Sequence, residues 1–112
     1  MVYTCCELWF TSAVYEVLKS TTFDAWLDGL RDRQARARIQ ARIRLLTLGS
    51  FGDAKRLTAS VSELRIDYGP GYRLYYTMRG PVLIVLLCGG DKRTQSSDIK
   101  RAEKIARDWG RA

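Results

Sequence analysis

Residues 63–76 read ELRIDYGPGYRLYY and set Glu63, Arg65, Arg73 and Tyr75 at intervals of two on either side of a YGPG turn. Period-two alternation flanking a Gly-Pro-Gly turn is the pattern of a β-hairpin. Pairing Asp67 with Gly71 across a three-residue loop places Leu64 opposite Leu74 and Ile66 opposite Tyr72. That gives one coherent apolar face, whereas a slip of one residue mixes the faces. The same register sets Arg65 directly opposite Arg73. Two like charges in one cross-strand pair cost about 0.5 kcal/mol unless something anionic sits between or beside them. Glu63 and Asp67 share that face and would relieve the repulsion as a solvated lattice of arginines and acids. A bound phosphate would relieve it too.

Several further groups add to the second alternative. The apolar run VLIVLLC leads into GGDKRTQ, where Gly89 and Gly90 would let the backbone approach a ligand and Lys92 and Arg93 add positive charge. Tyr75, two residues after Arg73, is expected to be exposed and to offer a surface on which a base stacks. Lys55 and Arg56, after the loop GSFGD, would track a nucleic-acid backbone or else lie in a solvated loop. The chain holds 19 basic against 12 acidic residues, a net charge of +7. Such a balance favours a polyanionic partner, although excess charge also serves solubility. Arginine pairs, lysines and a tyrosine together suggest RNA.

Other chemistries fall away. With no histidine among 112 residues, the chain cannot host a Ser-His-Asp or Cys-His arrangement or a histidine metal site. GSFGD lacks the Gly-Lys-Ser/Thr of a phosphate loop, and no Gly-rich turn follows a dinucleotide pattern. Scattered acids such as Asp91 and Asp98 give no metal signature, and no cofactor is expected. A nuclease built from these residues would use the 2′-hydroxyl of RNA as its nucleophile, without a metal. Cys5, Cys6 and Cys88 are odd in number and lack ligand spacing, which suits a reducing cytoplasm. Neither a signal peptide nor an apolar run long enough to span a bilayer is evident, so no membrane partner is expected.

The elements that must position these groups follow from periodicity. A short strand is expected near 15–18. Thr21 or Thr22 would cap a helix with Phe23, Trp26, Leu27 and Leu30 on one side. A second helix follows in RQARARIQARIRLLTLG, with Ala35, Ile39, Ile43 and Leu46 on one face and Gly49 as its stop. Its other face carries Arg36, Arg38, Arg42 and Arg44, either solvated or used for binding. Strands are expected near 61–67, 71–78 and 82–88, the last apolar on both faces and therefore central or covered on both sides. Ser97 would cap a final helix carrying Ile99, Ala102, Ile105, Ala106 and Trp109, ending at Gly110. The expected order is strand, two helices, three strands, helix.

FDAWLDGLRD, ARARIQARIRLLTLGSFGDAKRL, SELRIDYGPGYRLYY and LLCGGDKRTQSSDIKRAEKIA, taken in this order, resemble the HigB branch of the RelE/ParE toxin superfamily, the phage Gp49-like group. The resemblance covers roughly residues 15–109. It implies an α+β fold, a RelE-like small antiparallel sheet packed against two N-terminal helices and one C-terminal helix. It also implies the toxin of a type II toxin–antitoxin module, a ribosome-dependent, metal-independent endoribonuclease acting on mRNA in the cytoplasm. A helix-turn-helix HigA-type antitoxin would neutralise it.

By the same resemblance Arg73 matches the arginine at the scissile phosphate, Arg65 lies near a basic position on the preceding strand, and Lys92 with Arg93 forms the basic pair after the last strand. Lys92 is then a proton-transfer candidate and Glu63 the rival base. RelE-type enzymes often carry a tyrosine or histidine shortly after the basic pair. Here the stretch is TQSSDI, so the general acid is unassigned. Glu63 stands where RelE itself has a lysine, which leaves the base open as well. The alternative within the superfamily is a ParE-like, non-enzymatic inhibitor of DNA gyrase. Residues 1–13, MVYTCCELWFTSA, lie outside the resemblance and are expected to be an extension of a toxin domain over 14–112.

Overall fold

The computed structural model describes residues 15–109, so the expected extension and the expected stop at Gly110 lie outside the described residues. The chain runs β1 (Glu16–Lys19), α1 (Thr21–Asp28), α2 (Arg33–Thr47), β2 (Ala54–Arg56), β3 (Ser62–Ile66), β4 (Tyr72–Arg79), β5 (Leu83–Gly90), a 3-10 turn (Lys92–Thr94) and α3 (Gln95–Asp108). Its α+β class is the one the sequence indicates, with one strand more than expected. β2 is three residues long, too short for its alternation to stand out from the loop before it.

The hairpin adopts the register its apolar pattern requires: Leu64 faces Leu74, Ile66 faces Tyr72 and Arg65 faces Arg73. Gly69 and Gly71 sit at φ +59° and +84° in the turn, a left-handed backbone that residues with a Cβ rarely adopt. The strand order is β1-β5-β4-β3-β2. β1 runs parallel to β5, while the other neighbours are antiparallel. β5 is therefore internal, as its unbroken apolar run demands.

Helix ends explain two departures from the sequence reading. Ser20, not Thr21 or Thr22, caps α1, because its Oγ accepts from Phe23 N at 3.0 Å and is itself fixed by donating to Leu87 O at 2.6 Å. Nor does Ser97 cap α3. Asp91 turns the chain first, accepting from Arg93 N at 2.9 Å, and the 3-10 turn carries the backbone into α3 two residues before Ser97.

The sheet has two covered faces. On the first, α1 and α2 seal Phe23, Leu27, Ile39, Leu64, Leu74 and Ile84 into an apolar cluster. Each fully buried side chain of this kind contributes about 2 kcal/mol from lost water contact. On the second, α3 lays Ala102 and Ala106 over Tyr75, Val85, Leu87 and Cys88. A β-bulge makes this packing possible. Tyr75 pairs with Cys88 but Tyr76 pairs with Leu86, so the extra residue Leu87 joins Cys88 under α3.

Candidate functional site

Pairing across the second face aligns its side chains in rows. One row is Lys55, Glu63, Tyr75 and Cys88, and the next is Arg65, Arg73 and Gly90. Asp53 extends the second row, since its carbonyl accepts from Arg65 N at 2.9 Å. α3 covers one end of the rows, over Tyr75 and Cys88. The other end, toward β2, holds the charges.

Those charges alternate. Arg73 Nη1 donates to Glu63 Oε2 at 3.1 Å, Arg65 Nε lies 3.8 Å from the same oxygen, and Arg65 Nη2 donates to Asp53 Oδ1 at 3.1 Å. Burial grades along the chain: the side chain of Glu63 is 2% exposed, Arg73 12%, Arg65 41% and Asp53 58%. The like-charge pair is thus relieved from below by one carboxylate and from the rim by another. Glu63 Oε1, the Nε atoms of Arg65 and Arg73 and the Tyr75 hydroxyl are buried without a hydrogen-bond partner among the described residues. Each such atom costs roughly 1–3 kcal/mol. The polar nest is therefore only partly satisfied by its own ion pairs.

Asp53, Arg65, Gly71, Tyr72, Arg73 and Lys92 surround an open cleft of about 260 Å³. The exposed Lys92 reaches it from the 3-10 turn, so the strand pair and the segment after β5 meet as their spacing suggests. Two guanidiniums and an ammonium around one cleft can hold a phosphate and move a proton.

Three expectations are corrected. Tyr75 offers no stacking surface: it is fully buried under α3. Burial, aided by the carboxylates of Asp98 and Glu63, also pushes its hydroxyl well above the ordinary tyrosine range, so it is not a base. Gly89 and Gly90 do not leave room for a ligand. A Cβ on Gly89 would lie 2.3 Å from the Trp26 ring, and one on Gly90 1.8 Å from Asp98 Oδ2, so the protein's own side chains fill both spaces. Nor is Arg42 free on a helix face, because it donates to Arg65 O at 2.8 Å and Phe51 O at 3.0 Å, tying α2 to the backbone of β3. Arg36 donates to Leu30 O and Arg38 lies over the Tyr68 ring, which leaves Arg44 exposed.

Lys55 and Arg56 belong to the edge strand β2 rather than to a loop, and both are exposed. Arg56 turns back on its own connection, donating to Thr58 O and Ala59 O. Arg93 is exposed and paired to Asp91 at 3.1 Å, a bond that holds the Asp91 carboxyl below the usual range. Sequence reading missed Asp53 and Tyr72 as lining groups. The signal for Asp53 was its position opposite Arg65, visible only once β2 is recognised. Tyr72 was assigned wholly to the apolar face, yet it is half-buried at the edge of that face.

Among the described residues no group of three or more His, Cys, Asp or Glu is placed to hold a metal, and no helix is long and apolar enough to cross a membrane. Comparison with known proteins gives matches of three kinds. The family model "Phage derived protein Gp49-like (DUF891)" matches residues 25–109. An uncharacterised protein of Haemophilus influenzae (strain ATCC 51907 / DSM 11121 / KW20 / Rd) is 47% identical over 95 residues, which is 85% of this chain and 96% of that protein. Among solved structures, an arginine-to-alanine double mutant of the E. coli toxin RelE in the free state superposes with a TM-score of 0.63 at 13% identity. That match covers 85% of this chain and 96% of the toxin chain, and it establishes the likeness of fold.

Proposed function

Because the chain belongs to the phage-derived Gp49-like family, we propose that it is the toxin of a type II toxin–antitoxin module, a HigB-type ribosome-dependent endoribonuclease acting on mRNA. The observation that carries this reading is the Arg65–Arg73 pair beside Lys92 on an open cleft. The RelE-like fold adds weight to it.

In the proposed reaction the 2′-hydroxyl oxygen attacks the adjacent 3′-phosphorus and loses its proton, while the P–O5′ bond breaks. The products are a 2′,3′-cyclic phosphate and a 5′-hydroxyl end. Arg73 is nearly buried and anchored by Glu63, so its donors are already aimed before RNA arrives. Arg65 completes the phosphate clamp once the phosphate displaces the exposed Asp53 carboxylate. Glu63 is too buried to meet substrate and holds the guanidiniums in place instead of acting as the base. Asp53, open to the cleft, accepts the 2′-hydroxyl proton, and Lys92 donates to the leaving 5′-oxygen. No metal-bound water is invoked. Lys55, Arg56 and Arg93 guide the RNA backbone outside the cleft, and a helix-turn-helix HigA-type antitoxin is the proposed neutralising partner.

Inducing the protein in cells and mapping 5′-hydroxyl mRNA ends alongside gyrase-dependent DNA breaks tests this reading. Cleavage inside translated codons is expected, lost on Arg73→Lys. In a purified translation system it should persist in EDTA for as long as the ribosomes are verified intact. Intact mRNA with gyrase-dependent breaks would instead indicate a ParE-like inhibitor.

A further inference from the structure

α3 buries Ala102, Ala106 and, in its first turn, Asp98. A carboxylate is a costly choice for that place, since an apolar side chain of similar shape would fill it with nothing to desolvate. Gly90 makes the room: a Cβ at the end of β5 would collide with Asp98 Oδ2. Thr94 Oγ1 donates to that same oxygen, and Arg101 Nη1 lies 3.7 Å from the other. Thr94 stands at the N-cap of α3, where a threonine hydroxyl ordinarily accepts from backbone N–H groups of the first turn. It makes no such bond here. Its oxygen accepts instead from Asp91 N at 3.4 Å, while its proton goes to Asp98. One hydroxyl thus closes the segment Asp91–Thr94 on itself and moors it to a buried carboxylate. The 3-10 turn Lys92–Thr94 lies within that segment, and its other side rests on the β3–β4 turn, where a Cβ on Gly71 would lie 3.8 Å from Lys92 Cβ.

We propose that Asp98 is a positioning residue for Lys92: acting through Thr94, it fixes the turn from which the ammonium reaches the cleft of Arg65 and Arg73. The inference rests on the nuclease reading above, in which Lys92 protonates the leaving 5′-oxygen. Lysine carries its charge on a long flexible stem, so the backbone origin of that stem is what the fold can set in advance. Lys92 itself is exposed, and the mooring of its turn is what limits where its ammonium goes. A role in α3 alone does not account for the arrangement. An acidic group in the first turn would suit the helix dipole from an exposed place, with no glycine at residue 90 and no burial. The threonine, moreover, gives up its cap to make the contact.

The test uses purified ribosomes programmed with one mRNA, so that cleavage is read where the proposed reaction takes place. Titrating the protein in excess gives a saturated cleavage rate and a half-saturating concentration. Asp98→Leu and Thr94→Val remove the same contact from its two ends, and the second, at an exposed position, keeps the test open if the first misfolds. Each is expected to lower the saturated rate about ten-fold with the half-saturating concentration unchanged, as misplacement of a proton donor implies. Thr94→Ser should restore the parental rate. A merely structural role would remove active protein and raise the half-saturating concentration instead. A second readout needs no cleavage: the ε-methylene NMR signal of Lys92 should shift in Thr94→Val and return in Thr94→Ser. A saturated rate that Thr94→Val leaves unchanged, or a Lys92 signal that it does not move, overturns the positioning role and leaves the nuclease reading standing. Absence of cleavage by the parent protein on intact ribosomes overturns both.

Discussion

The two faces of the sheet are built from the same five strands but are finished differently. α1 and α2 close the first face with large apolar side chains from both helices and strands. α3 closes only part of the second, with small residues, Ala102 and Ala106, that let it lie close to β4 and β5 but extend little sideways. Between the edge of α3 and the outer strand β2 the sheet is left to Glu63, Arg65 and Arg73. The large apolar side chains are concentrated on one face and the charged cleft lies on the open half of the other. β4 serves both, since Leu74 points into the first face while its neighbour Arg73 points into the site. A substitution at Leu74 therefore strikes the fold, whereas one at its neighbour Arg73 strikes the cation cleft and, through Glu63, only part of the stability.

Leu74→Asp should have the largest effect. Leu74 is fully buried in the sealed face, and an unpaired carboxylate there costs more than the domain's marginal stability supplies. Far-UV circular dichroism should show loss of the cooperative transition. A folded Leu74→Asp protein would mean that this face tolerates charge and the contrast fails.

Arg73→Ala comes next and acts on both stability and activity. It leaves Glu63 buried without its closest partner, so a loss of about 3 kcal/mol in urea melts is expected. Adding Glu63→Gln should recover most of the stability while mRNA cleavage stays absent. Recovery of cleavage in the double variant would show that Arg73 serves the fold alone.

Cys88 tests how dry the covered half of the second face is. Burial, and then the Asp98 carboxylate, push its thiol up to about 12 from the 9.0 of a free thiol. A folded-state value above the unfolded one means the full contribution is present below pH 9 and is lost as pH rises toward 12. Between pH 8 and pH 10 the loss should be about 1 kcal/mol, and Cys88→Ala should remove that increment from the pH dependence of urea melts. An unchanged slope would mean that water reaches the bulge.

The smallest effect is expected from Arg56→Ala, an exposed side chain that bonds only the carbonyls of its own connection. Its unfolding free energy in urea melts should stay within about 0.5 kcal/mol of the parent.

Periodicity was a sound guide wherever one residue type repeated across an element. The register of β3 and β4 was legible because a slip by one would have put Leu64 and Leu74 on opposite faces, and α2 because Ala35, Ile39, Ile43 and Leu46 recur on one side. What the sequence hid depends on neighbours distant in the chain. Tyr75 looked exposed because its face alternates with Leu74, and only the approach of α3 buries it. Gly89 and Gly90 suggested ligand access, whereas the occupants are Trp26 and Asp98, from two different helices. Asp53 joined the site through a strand too short to signal itself. The cation cluster was legible as composition. Its partition into an anchored Arg73 and a releasable Arg65 was not, since that follows from depth of burial.

Order of synthesis gives the placement of β5 a further meaning. Among the described residues β1 pairs only with Leu83 to Leu86 of β5, made late, and Ser20 waits for Leu87, 67 residues downstream, to fix the start of α1. The hairpin bearing Arg65 and Arg73 is translated earlier, yet β4 finds its second neighbour only in β5, and Lys92 follows later still. Contacts of such long sequence separation form late, and a chain interrupted before β5 lacks the middle of its sheet. Any nonsense or frameshift lesion upstream of residue 83 therefore yields a fragment that cannot complete the sheet rather than a weakened form of the whole domain. A nascent chain likewise has no complete cation cleft until Lys92 is made and synthesis is nearly finished.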